Sequence, residues 1–553
     1  MTPSSSRRVL IVGGVAGGAS CAARLRRLDE SAEIVLFERG PDVSFANCGL
    51  PYYVGGVIEK ESALHVADAT LLNERYAIDV RTRNEVVSID PKAKTVKLRD
   101  LATDQLYSEG YDALVLSPGA TPLRPPLPGI DSPGIFTLRS IPDARTIKEW
   151  IDSRQARRAV VVGGGFIGLE MAENLVHRGL HVTIVEMLDQ VLPPMDPEMA
   201  AIVAERLRAQ GITLALADGV AGFETGTDTQ LVVRTQGGAA FPADIVILSI
   251  GVRPETALAR GAGLEIGPRG GIRVDEQMRT SDPAIWAVGD AVEVLDQVTA
   301  QPGLIPLAGP ANRQGRIAAD AICGRTSRFR SVQATAICGV FDLAVATTGA
   351  SEKSLRRAGI TDFEKIYLHP NQHAGYYPGA KPIHIKLLFR KSDGRILGAQ
   401  AVGEDDVARR IDVIAMAIQM GGSVYDLEEA ELCYAPQFGG AKDPVNFAGM
   451  IAADVLRGDM PTVHWPDPAT SETVYLDVRE PGEVQAGSIP EALHIPLGSL
   501  RKRIDEVPDS TDLRVFCAAG MRGYVATRML NQRGKRARNV SGGYRLQRYL
   551  KTG

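Results

Sequence analysis

Six cysteines, Cys21, Cys48, Cys323, Cys338, Cys433 and Cys517, are the residues of this chain best suited to covalent chemistry, and none belongs to a CxxC pair. That spacing argues against a disulfide framework and against a zinc site, whose ligands come as close pairs, so no metal is expected. Single thiols acting alone remain. Cys48 lies in SFANCGLPYY, where Asn, Gly and Pro neighbours mark an accessible turn and Pro51 suits the first turn of a helix. A thiol at a helix N-terminus is expected to have its thiolate stabilised and its pKa lowered, which makes it a nucleophile at neutral pH. Cys517 ends an apolar stretch and opens the loop CAAGMR, which reaches Arg522 before a helix begins. Successive backbone N–H groups in such a loop can cradle an anionic sulfur. A buried strand-end thiol is the other reading of the same residues. Cys21, Cys323 and Cys338 read as small core residues.

The elements around these thiols point to redox chemistry. RRVLIVGGVAGGASCAARLRRL is an apolar strand, a glycine turn (Gly13, Gly14, Gly18) and a helical stretch, and EIVLFE follows as a second strand ending in Glu38. A dinucleotide needs this order, because the turn admits a pyrophosphate to the helix N-terminus while an acidic residue about 20 positions on receives a ribose hydroxyl. Val15 stands where the middle glycine of GxGxxG is usual. A second copy, RRAVVVGGGFIGLEMAENLVHRGLHVTIVE, has the full set Gly163, Gly165 and Gly168, with Glu186 closing its next strand. An acid there accepts both ribose hydroxyls and repels a 2′-phosphate, favouring NADH over NADPH, although neighbouring Arg or Lys residues can reverse the preference. LVLSPGATP breaks at Ser117 to Gly119, and IWAVGDA ends in Gly289 and Asp290, an aspartate placed to accept hydrogen bonds from sugar-like hydroxyls.

A chain of 553 residues is too long for one core, and at about 150 residues per domain it should hold three or four. With 44% hydrophobic and 23% charged residues it has the composition of a globular protein, with no need of a membrane. The 62 basic and 66 acidic residues are well mixed, so nothing favours nucleic acid as a partner. The polar start MTPSSSRR runs straight into the first strand without the apolar stretch of a signal peptide, and a cytoplasmic location is expected.

As a set, the two glycine turns, SPGATP and AVGDA resemble the two-dinucleotide-domain flavoprotein reductases of the glutathione reductase superfamily, over about residues 8 to 450. The resemblance implies an α/β fold with two Rossmann-like domains, FAD on the first, NADH or NADPH on the second, and an α+β dimerisation domain giving a homodimer. SFANCGLPYY looks like the active-site segment of coenzyme A disulfide reductases, which work with one cysteine, and GGVAGG is their form of the first turn. Ser20, Arg24, Arg27, Ser44 and Asn47 then fall on the family's coenzyme A cradle, with Arg24 and Arg27 expected on one helix face. Coenzyme A is implied as substrate or bound cofactor. HAGYYPGA and CYAPQFGGAKDPVN place Tyr376, Tyr434 and Lys442 on the family's two tyrosines and its coenzyme A-contacting lysine, although Gln437, Gly439 and Gly440 depart from the usual YAPPFSSAKDPVN. In that family the tyrosines reach the site from the partner subunit and could donate a proton to a departing thiolate.

LDVREPGEVQAGSIPEALHIP and VFCAAGMRGYVATRML resemble a rhodanese, an α/β sulfurtransferase domain, after the turn-prone WPDPAT. The fusion is similar to NAD(P)H-dependent persulfide and polysulfide reductases. On this reading residues 1–150 and 276–330 form the FAD-binding domain, 151–275 the NAD(P)H-binding domain, 331–460 the dimerisation domain and 461–553 the rhodanese-like domain. Catalysis would fall to Cys48, Cys517, Tyr376 and Tyr434, with Arg522 on the sulfur-donor side. Two alternatives stay open: an NADH oxidase or peroxidase using Cys48 as sulfenic acid, and a redox-sensing interaction protein. Ala16 stands where peroxidase-like relatives carry a histidine, which speaks against the former.

Overall fold

The computed structural model describes residues 6–226 and 230–552, with side chains to residue 550. It divides into two compact units, Met1–Met187 with Gly211–Ala334, and Leu188–Gln210 with Thr335–Gly553.

The first unit is built on two parallel sheets. One has the strand order Ile285–Ala287, Ala113–Leu116, Arg8–Val12, Glu33–Glu38, Ile78–Thr82. Val9, Leu10 and Ile11 are fully buried, as the unbroken apolar run requires of a strand covered on both faces. Successive strands pair on opposite sides of Arg8–Val12, so the chain reverses direction there and leaves a crevice at that strand's C-terminal end. Helix Ala16–Leu28 starts in this crevice and packs against helix Ala308–Ile322. Contact is so close that a Cβ on Gly315 would lie 2.3 Å from the Gly17 carbonyl oxygen. The second sheet repeats the plan with Thr213–Ala215, His181–Val185, Arg158–Val162, Ile245–Leu248 and Ile135–Phe136, and helix Phe166–His177 follows its central strand. The expected pair of Rossmann-like folds is therefore present.

In the second unit an antiparallel sheet runs Ala336–Val340, Leu343–Gly349, Ile396–Gly403, Ile383–Phe389, Glu364–Leu368. Helix Pro197–Ala209 belongs to this unit because Lys386, fully buried, sets its ammonium 2.8 Å from Asp196, 2.6 Å from Glu198 and 3.0 Å from Glu352. Three carboxylates here face one cation, and Tyr367 donates to Glu198 as well.

A parallel sheet ends the chain, ordered Thr462–Val463, Ala537–Val540, Asp512–Phe516, Thr473–Asp477, Leu493–His494. Its edge strand precedes WPDPAT, so that turn lies inside this small domain. Trp465 there stacks on Tyr475 and donates to the Gly543 carbonyl. Among the described residues no helix is long and apolar enough to cross a membrane.

Candidate active site

Both glycine turns are shaped by close backbone approach. Gly13 has φ +93°, and a Cβ on it would lie 2.0 Å from the Ser117 carbonyl oxygen; one on Gly18 would lie 1.9 Å from that of Gly13. The Gly14 N–H donates to Glu38 (2.9 Å), whose other oxygen accepts from the Gly40 N–H, which fixes the turn to the second strand. Helix Ala16–Leu28 has no side-chain cap, so its first-turn N–H groups are available to an anion. The second turn matches: Gly163 at φ +106°, Gly168 tight against Gly163, an uncapped helix at Gly165, and the Gly164 N–H donating to the buried Glu186 carboxylate (2.7 Å). A Cβ on Gly165 would meet nothing within 4 Å, so that face is open to a ligand. Gly119 and Gly289, both at positive φ, frame the first crevice, where the Gly289 N–H donates to Gln314. Burial pushes Asp290 up from the usual carboxylate range, against the field of Arg139. These residues fit two dinucleotides, one per turn.

Cys48 sits in the short turn Asn47–Gly49 ahead of helix Leu50–Gly55, a free cysteine at the surface whose thiol is partly shielded. The turn is tied down by the Ala46 N–H donating to the Leu64 carbonyl, and a Cβ on Gly49 would press to 2.8 Å of Leu64. With its amide oriented to match its neighbours, Asn47 donates to the Phe45 carbonyl and accepts from Arg139 Nη1 (2.8 Å). The expected lowering of the thiol pKa is not found. Partial burial pushes the Cys48 thiol up, and the charges of Glu170 and Asp290 add to it. Burial outweighs what the six-residue helix that follows can offer, because a helix this short has a weak end field, and the Glu170 and Asp290 charges act in the same direction as burial. Glu170 is itself raised by burial, and Tyr52 donates to it.

A cleft of about 380 Å³ gathers Ser20, Arg27 and Ser44 with two further cations, Arg75 and Arg316. Ser20 donates to Asn312. Arg24, expected to share this face with Arg27, instead pairs with Asp320 at 2.9 Å. A helix face is broad enough for residues three apart to take different partners. Arg75 and Arg316 come from other helices, which no local pattern links to Cys48.

In the second unit the Tyr376 and Tyr434 hydroxyls lie 2.8 Å apart on the surface, 76% and 48% exposed. Lys442 is exposed in the loop before helix Pro444–Arg457. That loop is anchored by Asp443, which caps the helix and pairs with buried Arg410 (2.9 Å), and by Gly439, whose carbonyl accepts from the Ala374 N–H.

Cys517 follows strand Asp512–Phe516, buried but with its Sγ accepting from the Gly520 N–H at 3.1 Å. Gly520, at φ +119°, turns the loop into helix Met521–Gln532. Arg522 makes a bidentate pair with Glu483, at 2.6 and 2.7 Å. The loop is fixed from behind, where the Tyr544 and Arg545 N–H groups donate to the carbonyls of Cys517 and Ala518.

Residues 7–315 match the pyridine nucleotide-disulphide oxidoreductase family, residues 335–443 its dimerisation domain, and residues 467–546 the rhodanese-like domain. The chain is 34% identical over 450 residues to a coenzyme A disulfide reductase of Staphylococcus haemolyticus, covering 81% of this chain and all of that one. Reduced CoADR-RHD from Bacillus anthracis superposes with a TM-score of 0.96 at 48% identity, over 99% of this chain and 98% of that one. An NAD-dependent persulfide reductase from A. fulgidus gives a TM-score of 0.92 at 37% identity, over 98% and 99%.

Proposed function

The chain belongs to the pyridine nucleotide-disulphide oxidoreductase family, and we propose that it reduces the sulfur–sulfur bond of coenzyme A persulfide, polysulfide or coenzyme A disulfide at Cys48. The observation that carries this reading is Cys48 itself, a surface cysteine on a pinned turn beside the first glycine turn's crevice. Cys48 is a free cysteine, which suits a thiol whose partner sulfur is supplied by the substrate. Its thiolate attacks the S–S bond, one sulfur stays on Cys48 as a mixed disulfide or persulfide, and the other leaves as a thiolate. Gly13, Gly14, Gly18, Glu38, Ser117, Gly119, Gly289 and Asp290 would hold FAD, which when bound would supply two-electron reduction drawn from NAD(P)H. Gly163, Gly165, Gly168 and Glu186 hold the nicotinamide cofactor, with the carboxylate favouring NADH.

Ser20, Arg27, Ser44 and Asn47 orient the coenzyme A moiety, and the cations lining the cleft suit its phosphates. In a homodimer the Tyr376–Tyr434 pair and Lys442 come from the partner subunit, the tyrosines protonating the leaving thiolate. Cys517 carries sulfane sulfur, with the loop to Arg522 as its cradle. Steady-state rates with coenzyme A persulfide, polysulfide, coenzyme A disulfide and oxygen test this. Cys48→Ser should lose turnover of every sulfur acceptor, and full turnover by that variant would refute the reading. Oxygen consumption outpacing sulfur reduction would favour an oxidase instead.

A further inference from the structure

The Cys517 loop carries a charge arrangement that bears on which sulfur donor it accepts, an inference resting on the sulfane-sulfur role proposed above. Between Cys517 and Arg522 stand only Ala518, Ala519, Gly520 and Met521, so Arg522 is the single cation of the loop. Both of its terminal nitrogens are taken by Glu483. That pairing lowers the Glu483 carboxyl to about 2, so it stays ionised through the neutral range and offsets the guanidinium charge that also acts on Cys517. Glu480 adds further negative field at Arg522. The neighbouring cation Arg479 is likewise cancelled, by buried Asp477 at 2.6 Å. Arg545 joins the loop through its backbone N–H, while its charge bears on the buried His369–His384 pair. Beside the loop Met521 and Val525, one helical turn apart, are 55% and 36% exposed.

We propose that Glu483 is a specificity-determining residue that makes Cys517 accept organic hydropersulfides, R–S–S–H, in preference to the thiosulfate dianion. The Cys517 thiolate attacks the outer sulfur of the donor, the donor S–S bond breaks, and R–S⁻ departs with the bonding pair, leaving Cys517–S–S–H. The outer sulfur keeps its proton and no net electrons are exchanged. The same transfer from thiosulfate would release sulfite and would bring two negative charges to a loop whose one cation is already neutralised. Met521 and Val525 give the methylene groups of R an apolar edge.

Peptide-level mass spectrometry of the full-length protein without NAD(P)H, with 2-hydroxyethyl hydropersulfide, whose R group carries no charge, or thiosulfate as donor, reads sulfur gained at Cys517. Loading by the hydropersulfide should be at least about tenfold faster, a coupling of about 1.4 kcal/mol. Glu483→Gln, which frees the Arg522 charge, should raise thiosulfate loading relative to hydropersulfide loading, and Glu483→Asp should retain the original preference. Ala519→Lys, which adds a cation and leaves the Arg522–Glu483 pair in place, should shift the ratio in the same direction as Glu483→Gln. Equal loading of the unmodified protein by both donors, or an unchanged ratio in both charge variants, overturns the selectivity alone. Loading by neither donor overturns the sulfane-sulfur role and the selectivity together.

Discussion

Replacing Gly165 by alanine separates the fold's need for a glycine from the ligand's. Gly165 has φ −78° and ψ −175°, extended backbone that alanine adopts without strain. An added Cβ meets no protein atom within 4 Å, so nothing in the chain must move. Restricting the unfolded chain should leave stability unchanged or raised by about 0.4–1 kcal/mol. Gly163 and Gly168 behave in the opposite way, because a Cβ at either would lie 2.5 or 2.0 Å from a backbone oxygen. What the methyl group at Gly165 does occupy is the open approach to the helix N-terminus, where a pyrophosphate must come close. Loss of that approach should weaken NAD(P)H binding about tenfold or more, some 1.4 kcal/mol. The assay is KM for NADH under saturating sulfur acceptor, beside thermal unfolding and the flavin-to-protein absorbance ratio. KM should rise while flavin content and melting temperature hold. An unchanged KM would refute the placement of the dinucleotide on this turn, and a lowered melting temperature would refute the steric argument.

The remaining predictions concern charge. Since burial, Glu170 and Asp290 raise the Cys48 thiol, its nucleophilic thiolate is lost as pH falls below that raised pKa. Glu170→Gln removes one of these charges and should move the acid limb of the kcat/KM profile to lower pH; a limb that stays put would show that Glu170 does not act on the thiol. Lys386→Met should cost about 3–5 kcal/mol in chemical denaturation, because Asp196, Glu198 and Glu352 would keep their burial and lose their shared cation. A stability loss below about 1 kcal/mol would mean that those carboxylates take up protons at little cost. Tyr434→Phe should lower kcat for disulfide acceptors by about tenfold or more with little change in KM, as expected of a lost proton donor. A change confined to KM would assign the hydroxyl to binding.

Much of this architecture was legible because local rules dictate it. Glycines on which a Cβ would fall about 2.0 Å from a carbonyl oxygen, strands buried on both faces and acids at strand ends leave sequence marks within some thirty residues. The Cys48 turn and the Cys517 loop were legible for the same reason. Effects that depend on residues brought together from afar were not. Arg139 lies on a segment with no motif of its own, and Glu170 lies in the helix of the second glycine turn, which no local pattern links to Cys48. Arg75 and Arg316 join Arg27 only through helix packing, and Arg24 leaves that group because Asp320 happens to face it. The edge strand Thr462–Val463 has two residues, too few to show a period. The raised Cys48 pKa has no local mark, because burial, helix length and the Glu170 and Asp290 charges are properties of the assembled site.

In the proposed mechanism substrate sulfur becomes covalently bound to Cys48 during turnover. Rapid acid quench of the reduced enzyme mixed with coenzyme A disulfide or coenzyme A persulfide, followed by peptide mass spectrometry, tests it directly. A mixed disulfide or persulfide on the Cys48 peptide, formed and lost at the rate of turnover and absent from Cys48→Ser, is the predicted result. Turnover with the Cys48 thiol unmodified throughout would contradict the account.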